Sequence, residues 1–310
     1  MYSFEQLQRG IRNPHQALRE LNRLFWTRGH RRDYNPDGAD FLAEDWDNLV
    51  ILDGCRYDAF EELLPEYDLE GDLQRRTSRG SATWEFLRGN FHGKRLDDVV
   101  YVTASTILYQ GSVFREDIDV ELHDVVDVWT SGIEYGDDGT PPWNVAREAR
   151  AVNEEYPNKR LVIHFVQPHA PYLGELGREE FPDFRPNPLS ERFRGLIDTP
   201  EETLRAVYRE NLALVLDEVE ELVPELTGKT VITADHGMLL GEREKPFPIK
   251  SFGHPGNIYV DEMVTVPWFV IEGERRKRIV AGSAGDEYAK KRTDQLDEKA
   301  RDHLEQMGYL

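Results

Sequence analysis

A single cysteine, Cys55, occurs in 310 residues. No intramolecular disulfide can form, and a cysteine-lined zinc cage is excluded. Lysine is scarce as well: nine Lys accompany 29 Arg among 38 basic residues, against 59 acidic ones, for a net charge of −21. So acidic a chain lacks the basic footprint that nucleic acid requires, and nucleic acid is not an expected partner. The pattern is halophile-like, because concentrated salt screens self-repulsion. No apolar run approaches the roughly 18 residues of a membrane span. The opening MYSFEQLQRGIRNPHQAL has no apolar leader core. A cytoplasmic location is the expectation from these absences.

What is present suffices for a large core: 39% hydrophobic residues, with 14 Phe, 13 Tyr and 6 Trp. The first 32 residues run against the acidic trend, with seven Arg and two Glu. Leu18, Leu21, Leu24 and Phe25 recur there at helical spacing. Two readings fit: a helix packed on the domain surface, or a basic amphipathic helix over residues 1–32 in peripheral contact with an anionic membrane. The expected division is a basic helical extension over residues 1–40 and a main domain over 41–310.

Short apolar runs alternate with amphipathic segments of helix length. Strands are expected at Asn48–Asp53, Val99–Thr103, Val125–Trp129, Leu161–Val166, Lys229–Ala234 and Val264–Ile271. Helices are expected at Tyr57–Leu64, Thr83–Gly89, Val145–Glu155, Pro200–Leu222 and Thr293–Met307. Near-continuous Val/Ile/Leu runs suit parallel strands covered on both faces. The order predicts an α/β fold, a three-layer α/β/α doubly wound and mostly parallel sheet, with the site at the strands' carboxyl edge. Pro171–Asp198, rich in proline, reads as a long loop over that edge.

Chemistry-bearing residues gather at the strand ends. VITADHG closes a buried strand with Asp235, His236 and Gly237, and a carboxylate beside an imidazole suits Mn, Zn, Mg or Ca. HFVQPHAPY places His169 just past a strand, among stiffening prolines, while His164 lies inside the strand and reads as a satisfied core histidine. His254 follows in a Gly- and Pro-rich loop, and Asp53 ends the first strand.

ILDGCRYD, GSATWEFL, HFVQPHAPY, VITADHGMLLGE and FGHPGN with VPWFV together resemble the alkaline phosphatase superfamily. More narrowly they are similar to its sulfatase-like hydrolases and transferases, archaeal members among them. The resemblance spans Leu49 to Leu310 and makes 41–310 an alkaline-phosphatase/sulfatase-like catalytic domain. It implies one divalent metal held by Asp53, Asp235 and His236. It implies His169 at the substrate or leaving group, and His254 as metal ligand or substrate contact. One metal rather than two is implied because His169 stands where two-metal relatives carry an Asp.

Thr83 aligns with the nucleophile of such proteins, with Ser81 and Ser78 as alternatives. No hydroxyl or thiol in residues 77–83 has the C/S-x-P/A-x-R context of formylglycine, and Cys55, in C-R-Y-D-A, lacks it too. An unmodified threonine suits phosphoryl transfer through a phospho-threonine. Arg56, Arg79 and Lys250 are candidates to bind the substrate's oxyanion. The expected activity is metal-dependent hydrolysis or transfer of phosphate mono- or diesters carried by a small molecule, lipid or glycan. The alternatives are a sulfate-ester hydrolase without formylglycine and a catalytically silent binding protein on the same fold.

Overall fold

In the computed structural model, residues 14–105, 118–128, 140–182 and 187–282 are described. Asn48–Leu52 (β1) is buried along its whole length, as five residues reading NLVIL require of a strand covered on both faces. It pairs in parallel with Arg160–Phe165 (β5) on one side and Thr230–Thr233 (β6) on the other. Lys94–Thr103 (β3) and Val120–Asp127 (β4) extend the sheet in parallel beyond β5. On the opposite side Thr265–Ile271 (β9) joins β6 antiparallel, and Asp72–Thr77 (β2) closes the edge antiparallel to β9. The seven-stranded order is β2-β9-β6-β1-β5-β3-β4. A two-stranded hairpin, Leu239–Arg243 (β7) with Lys250–Gly253 (β8), stands apart.

The α/β expectation holds: each expected strand overlaps an observed one, although β3 and β4 begin five residues earlier, and the four expected helices among the described residues begin and end within three residues of the observed ones. The edge strand β2 was not legible in the sequence. It reads DLQRRT and is half-exposed, the charged character that keeps sheet edges from pairing with other chains. Pro171–Asp198 is not one long loop: it contains the short helices Glu175–Glu180 and Pro188–Arg194. The expected helix Thr293–Met307 lies outside the described residues, as does Trp129 of the expected fourth strand.

Pro14–Trp26 (α1) packs against the β7–β8 hairpin. The residue it buries is polar: Asn22 donates to Glu244 Oε2 at 3.0 Å and to Phe247 O at 3.0 Å, while Arg19 pairs with Glu244 at 2.7 Å. Leu21 and Phe25, expected on its inward stripe, are 45% and 43% exposed. Buried polar partners, not the apolar stripe, orient this helix. Glu201–Leu222 (α7) buries Leu204, Val207, Tyr208, Asn211, Leu212, Val215, Leu216, Val219 and Leu222, a three- and four-residue spacing that lays one face on the core.

Candidate active site

Parallel pairing brings three strand ends to one edge. Leu52 is in register with Phe165, and Ile51 with Thr233, so Asp53, Asp235, His236 and His169 all lie just beyond the carboxyl ends of β1, β6 and β5. Two glycines permit the turns. Gly54 takes φ +71°, a left-handed conformation open to glycine, and its N–H donates to Asp235 Oδ1 at 3.0 Å. A Cβ on Gly237 would stand 2.1 Å from Glu262 O, so no side chain fits between Asp235–His236 and that backbone.

Asp53, Asp235 and His236 are fully buried, and one donor atom from each lies within 4.8 Å of the others. His236 Nδ1 donates to Gly237 O at 2.7 Å, which leaves the Nε2 lone pair facing both carboxylates: 3.5 Å from Asp53 Oδ1 and 3.4 Å from Asp235 Oδ2. Asp53 Oδ1 and Asp235 Oδ2 have no hydrogen-bond partner. Burial, and then the Asp235 charge, push the Asp53 carboxyl well above the carboxylate range, against the lowering effect of Thr83's hydroxyl. Two unpartnered carboxylate oxygens and an imidazole lone pair, buried together, are the donor set a divalent cation would satisfy.

Thr83 opens the helix Thr83–Phe91 (α3) after an extended Ala82, and its Oγ1 lies 3.4 Å from Asp53 Oδ2 and 3.4 Å from His236 Nε2. The other hydroxyls point elsewhere. Ser81 Oγ donates to Glu85 Oε2 at 2.7 Å and accepts from Ile258 N at 3.1 Å. Ser78 Oγ donates to Asp235 O and accepts from Gly80 N.

His169 and His254 meet with their Nε2 atoms 2.8 Å apart. His169 Nδ1 donates to Ala170 O at 2.6 Å, so in the neutral pair His254 Nε2 carries the shared proton. Burial lowers His169 to a pKa of about 4, and burial with His169 and His236 nearby lowers His254 well below its usual value. His254 also stacks on His236, with ring centroids 4.8 Å apart. Four expected site residues and this pair therefore converge.

Three expected cations do not. Arg56 is saturated by Asp58 (2.6 and 2.8 Å), Glu242 (2.7 Å) and Met238 O (3.1 Å). Lys250, on the hairpin, pairs with Glu201 at the start of α7. Arg79 donates to Gly89 O at 2.6 Å and pairs with Asp40. Cys55 is fully buried, and its thiol is pushed well above its ordinary value by burial.

Burial alone would raise Glu242, but Arg56 and then Arg205 hold it down to about 2. Its folded pKa lies below its ordinary 4.5, so the stability it supplies is full above that value and lost as pH falls towards 2. Glu242→Gln is expected to cost on the order of 1–3 kcal/mol at neutral pH. It should also flatten the acid limb of stability, measured by urea melts across that window. An unchanged limb would contradict the assignment.

Sequence reading missed the residues that hold these loops. Asn211, fully buried on α7, donates from Nδ2 to Pro168 O, His169 O and Pro171 O at 3.0–3.2 Å and accepts from Leu173 N at 3.0 Å. One turn earlier Tyr208 donates to Gly54 O and accepts from Arg56 N, both at 2.9 Å. Glu85 is buried and accepts from Ser81, Asn257 N and Tyr259 Oη, tying α3 to the loop that carries His254. The available signal was an amide in the apolar stripe of α7, since a buried amide must be satisfied.

No protein-family model and no curated protein matches the chain. Solved structures similar to it include the C-terminal periplasmic domain of EcEptC from Escherichia coli in complex with zinc (14% identity, 76% of this chain and 75% of that one, TM-score 0.48). Others are the C-terminal periplasmic domain of the phosphoethanolamine transferase EptC from Campylobacter jejuni (15%, 73% and 78%, TM-score 0.43) and an alkaline phosphatase superfamily protein from Vibrio parahaemolyticus (12%, 84% and 70%, TM-score 0.41). The Vibrio protein bears the name of the group that the sequence motifs resemble; at such identity these likenesses say nothing of reaction or substrate. The cytoplasmic expectation is corrected. Two of these matches are periplasmic domains, so nothing ties this fold to the cytoplasm. Among the described residues no helix is long and apolar enough to cross a membrane, which names no compartment.

Proposed function

We propose that the chain is a metal-dependent phosphoryl-transfer enzyme in which Thr83 attacks a phosphate mono- or diester and forms a phospho-threonine. The observation that carries this reading is the Thr83 hydroxyl, at a helix start and 3.4 Å from both Asp53 and His236, beside carboxylate oxygens without partners. A divalent cation such as Mn or Zn would be held by Asp53, Asp235 and His236, and when bound would lower the hydroxyl's pKa and offset phosphoryl charge.

Asp53 Oδ2 faces the Thr83 proton and is its acceptor. The Oγ–P bond forms as the P–O bond to the leaving alcohol breaks. The departing oxygen takes a proton from water, and the His169–His254 pair, with one N–H between two Nε2 atoms, can donate a hydrogen bond to that oxygen. The N-terminus of α3 adds its dipole to the phosphoryl group's binding. Water or an acceptor alcohol then cleaves the phospho-threonine, giving hydrolysis or transfer to or from a small molecule, lipid or glycan.

Mn-loaded protein should release p-nitrophenol from p-nitrophenyl phosphate or bis-p-nitrophenyl phosphate, but not from p-nitrophenyl sulfate. An acid-quenched sample should carry one phosphoryl adduct on Thr83 by mass spectrometry. Turnover of the sulfate ester alone would replace this reading with a sulfatase. Turnover of none, with no metal bound, would replace it with a binding protein.

A further inference from the structure

His164, inside β5, was expected to be a satisfied core histidine, and half of it is. Its Nδ1 lies 2.7 Å from Tyr101 Oη, on the neighbouring strand β3. Its Nε2 has no partner and lies 4.0 Å from Asp235 Oδ2, which has none either. Both side chains are buried, 1% and 0% exposed. Leaving two buried polar atoms unpaired is costly, so their mutual approach needs a physical account.

Asp235 Oδ1 is fixed by the N–H groups of Gly54 and His236. The set of the carboxylate therefore depends on what meets Oδ2. A nitrogen lone pair aimed at it would repel; an N–H would attract. Tyr101 selects between the two, because its O–H can donate to Nδ1 and leave the imidazole proton on Nε2. Asp53, Asp235 and His236 form the group of donors within 4.8 Å of one another, and His164 does not join it. Its place is behind a ligand, where an imidazole N–H steers a carboxylate. Closing 4.0 Å to a hydrogen bond takes a shift of about 1 Å.

The geometry points to His164, held in the Nε2–H tautomer by Tyr101, as a positioning residue that aims Asp235 Oδ2 at the cation. This rests on Asp53, Asp235 and His236 being a cation site. The test is Mn2+ binding to the full chain, by calorimetry, with no substrate present. His164→Leu should weaken Mn2+ by about 10–100-fold, the usual cost of losing a group behind a ligand. His164→Gln, which can return an N–H near the Nε2 position, should recover most of that loss. Tyr101→Phe should weaken binding by less. The double variant Tyr101→Phe/His164→Leu should bind like His164→Leu alone, since the phenol acts through the imidazole.

Melting of the metal-free variants identifies any that fail to fold; if His164→Leu does, Tyr101→Phe and His164→Gln decide. Additive losses in the double variant, or wild-type Mn2+ affinity in both Tyr101→Phe and the folded His164 variants, would overturn the positioning role. Asp235→Asn separates the two layers. If it binds Mn2+ as the wild type does, the cation site fails and this inference falls with it. If it binds weakly while His164 and Tyr101 variants are unaffected, the positioning role alone falls.

Discussion

Thr83→Ala is expected to lose on the order of 10^4-fold or more in turnover, because removing a nucleophile removes the covalent route itself. The methyl group keeps the helix start, and Asp53, Asp235 and His236 remain in place, so Mn2+ affinity should change far less than the rate. Thr83→Ser restores the hydroxyl and should recover most activity. Ser81→Ala makes the contrast: Ser81 is bound to Glu85 and Ile258 N, so its loss should lower stability while the phosphoryl adduct still forms on Thr83. Turnover in Thr83→Ala within tenfold of wild type, or an adduct on Ser81, would remove Thr83 from the role. Stopped-flow release of p-nitrophenol and peptide mapping give the two readings.

Asn211→Leu should carry a large stability cost. The side chain is fully buried, and it satisfies three carbonyls and one N–H of the segment 168–173. Leucine is close in volume but leaves those groups without partners in an apolar setting, at about 1–3 kcal/mol each before relaxation. A loss on the order of 3–5 kcal/mol is expected. The rate should fall by about 100-fold in whatever folds, because His169 sits within the released segment and a misplacement of about 1 Å costs that much. Thermal melting and kcat at a temperature where the variant is folded test the two effects separately. An unchanged melting temperature would show that the segment is held by other means.

The central strands were legible because burial on both faces writes itself into the sequence as runs such as NLVIL, and no partner is needed to recognise them. The strand-end residues were legible for a related reason: Asp53, Asp235, His236 and His169 follow such runs directly. Register is what joins them, and register depends on pairings between segments more than 100 residues apart, which no local pattern records. The edge strand β2 hid for the opposite reason, since its solvent exposure removes the alternation that marks a strand. The cationic candidates failed to converge because an arginine is recognisable by type, whereas its partner is set by tertiary structure. Arg56 meets Glu242, 186 positions away, and that carboxylate takes it from the cluster. His164 was read from its place in a strand; its unpaired nitrogen became visible only with β6 beside β1.

Tyr208 and Asn211 sit one turn apart on the same helix, one holding the turn after Asp53 and the other the segment around His169. Two side chains of one helix thus fix the turn after Asp53 and the segment around His169 to a common support. A cavity at Leu212 or Val215 that tilted this helix would reach Asp235 as well, because the Gly54 N–H that meets Asp235 Oδ1 belongs to the turn Tyr208 holds. Asp53, His169 and Asp235 thus share one support, and a helix that lies outside the cluster sets their mutual alignment.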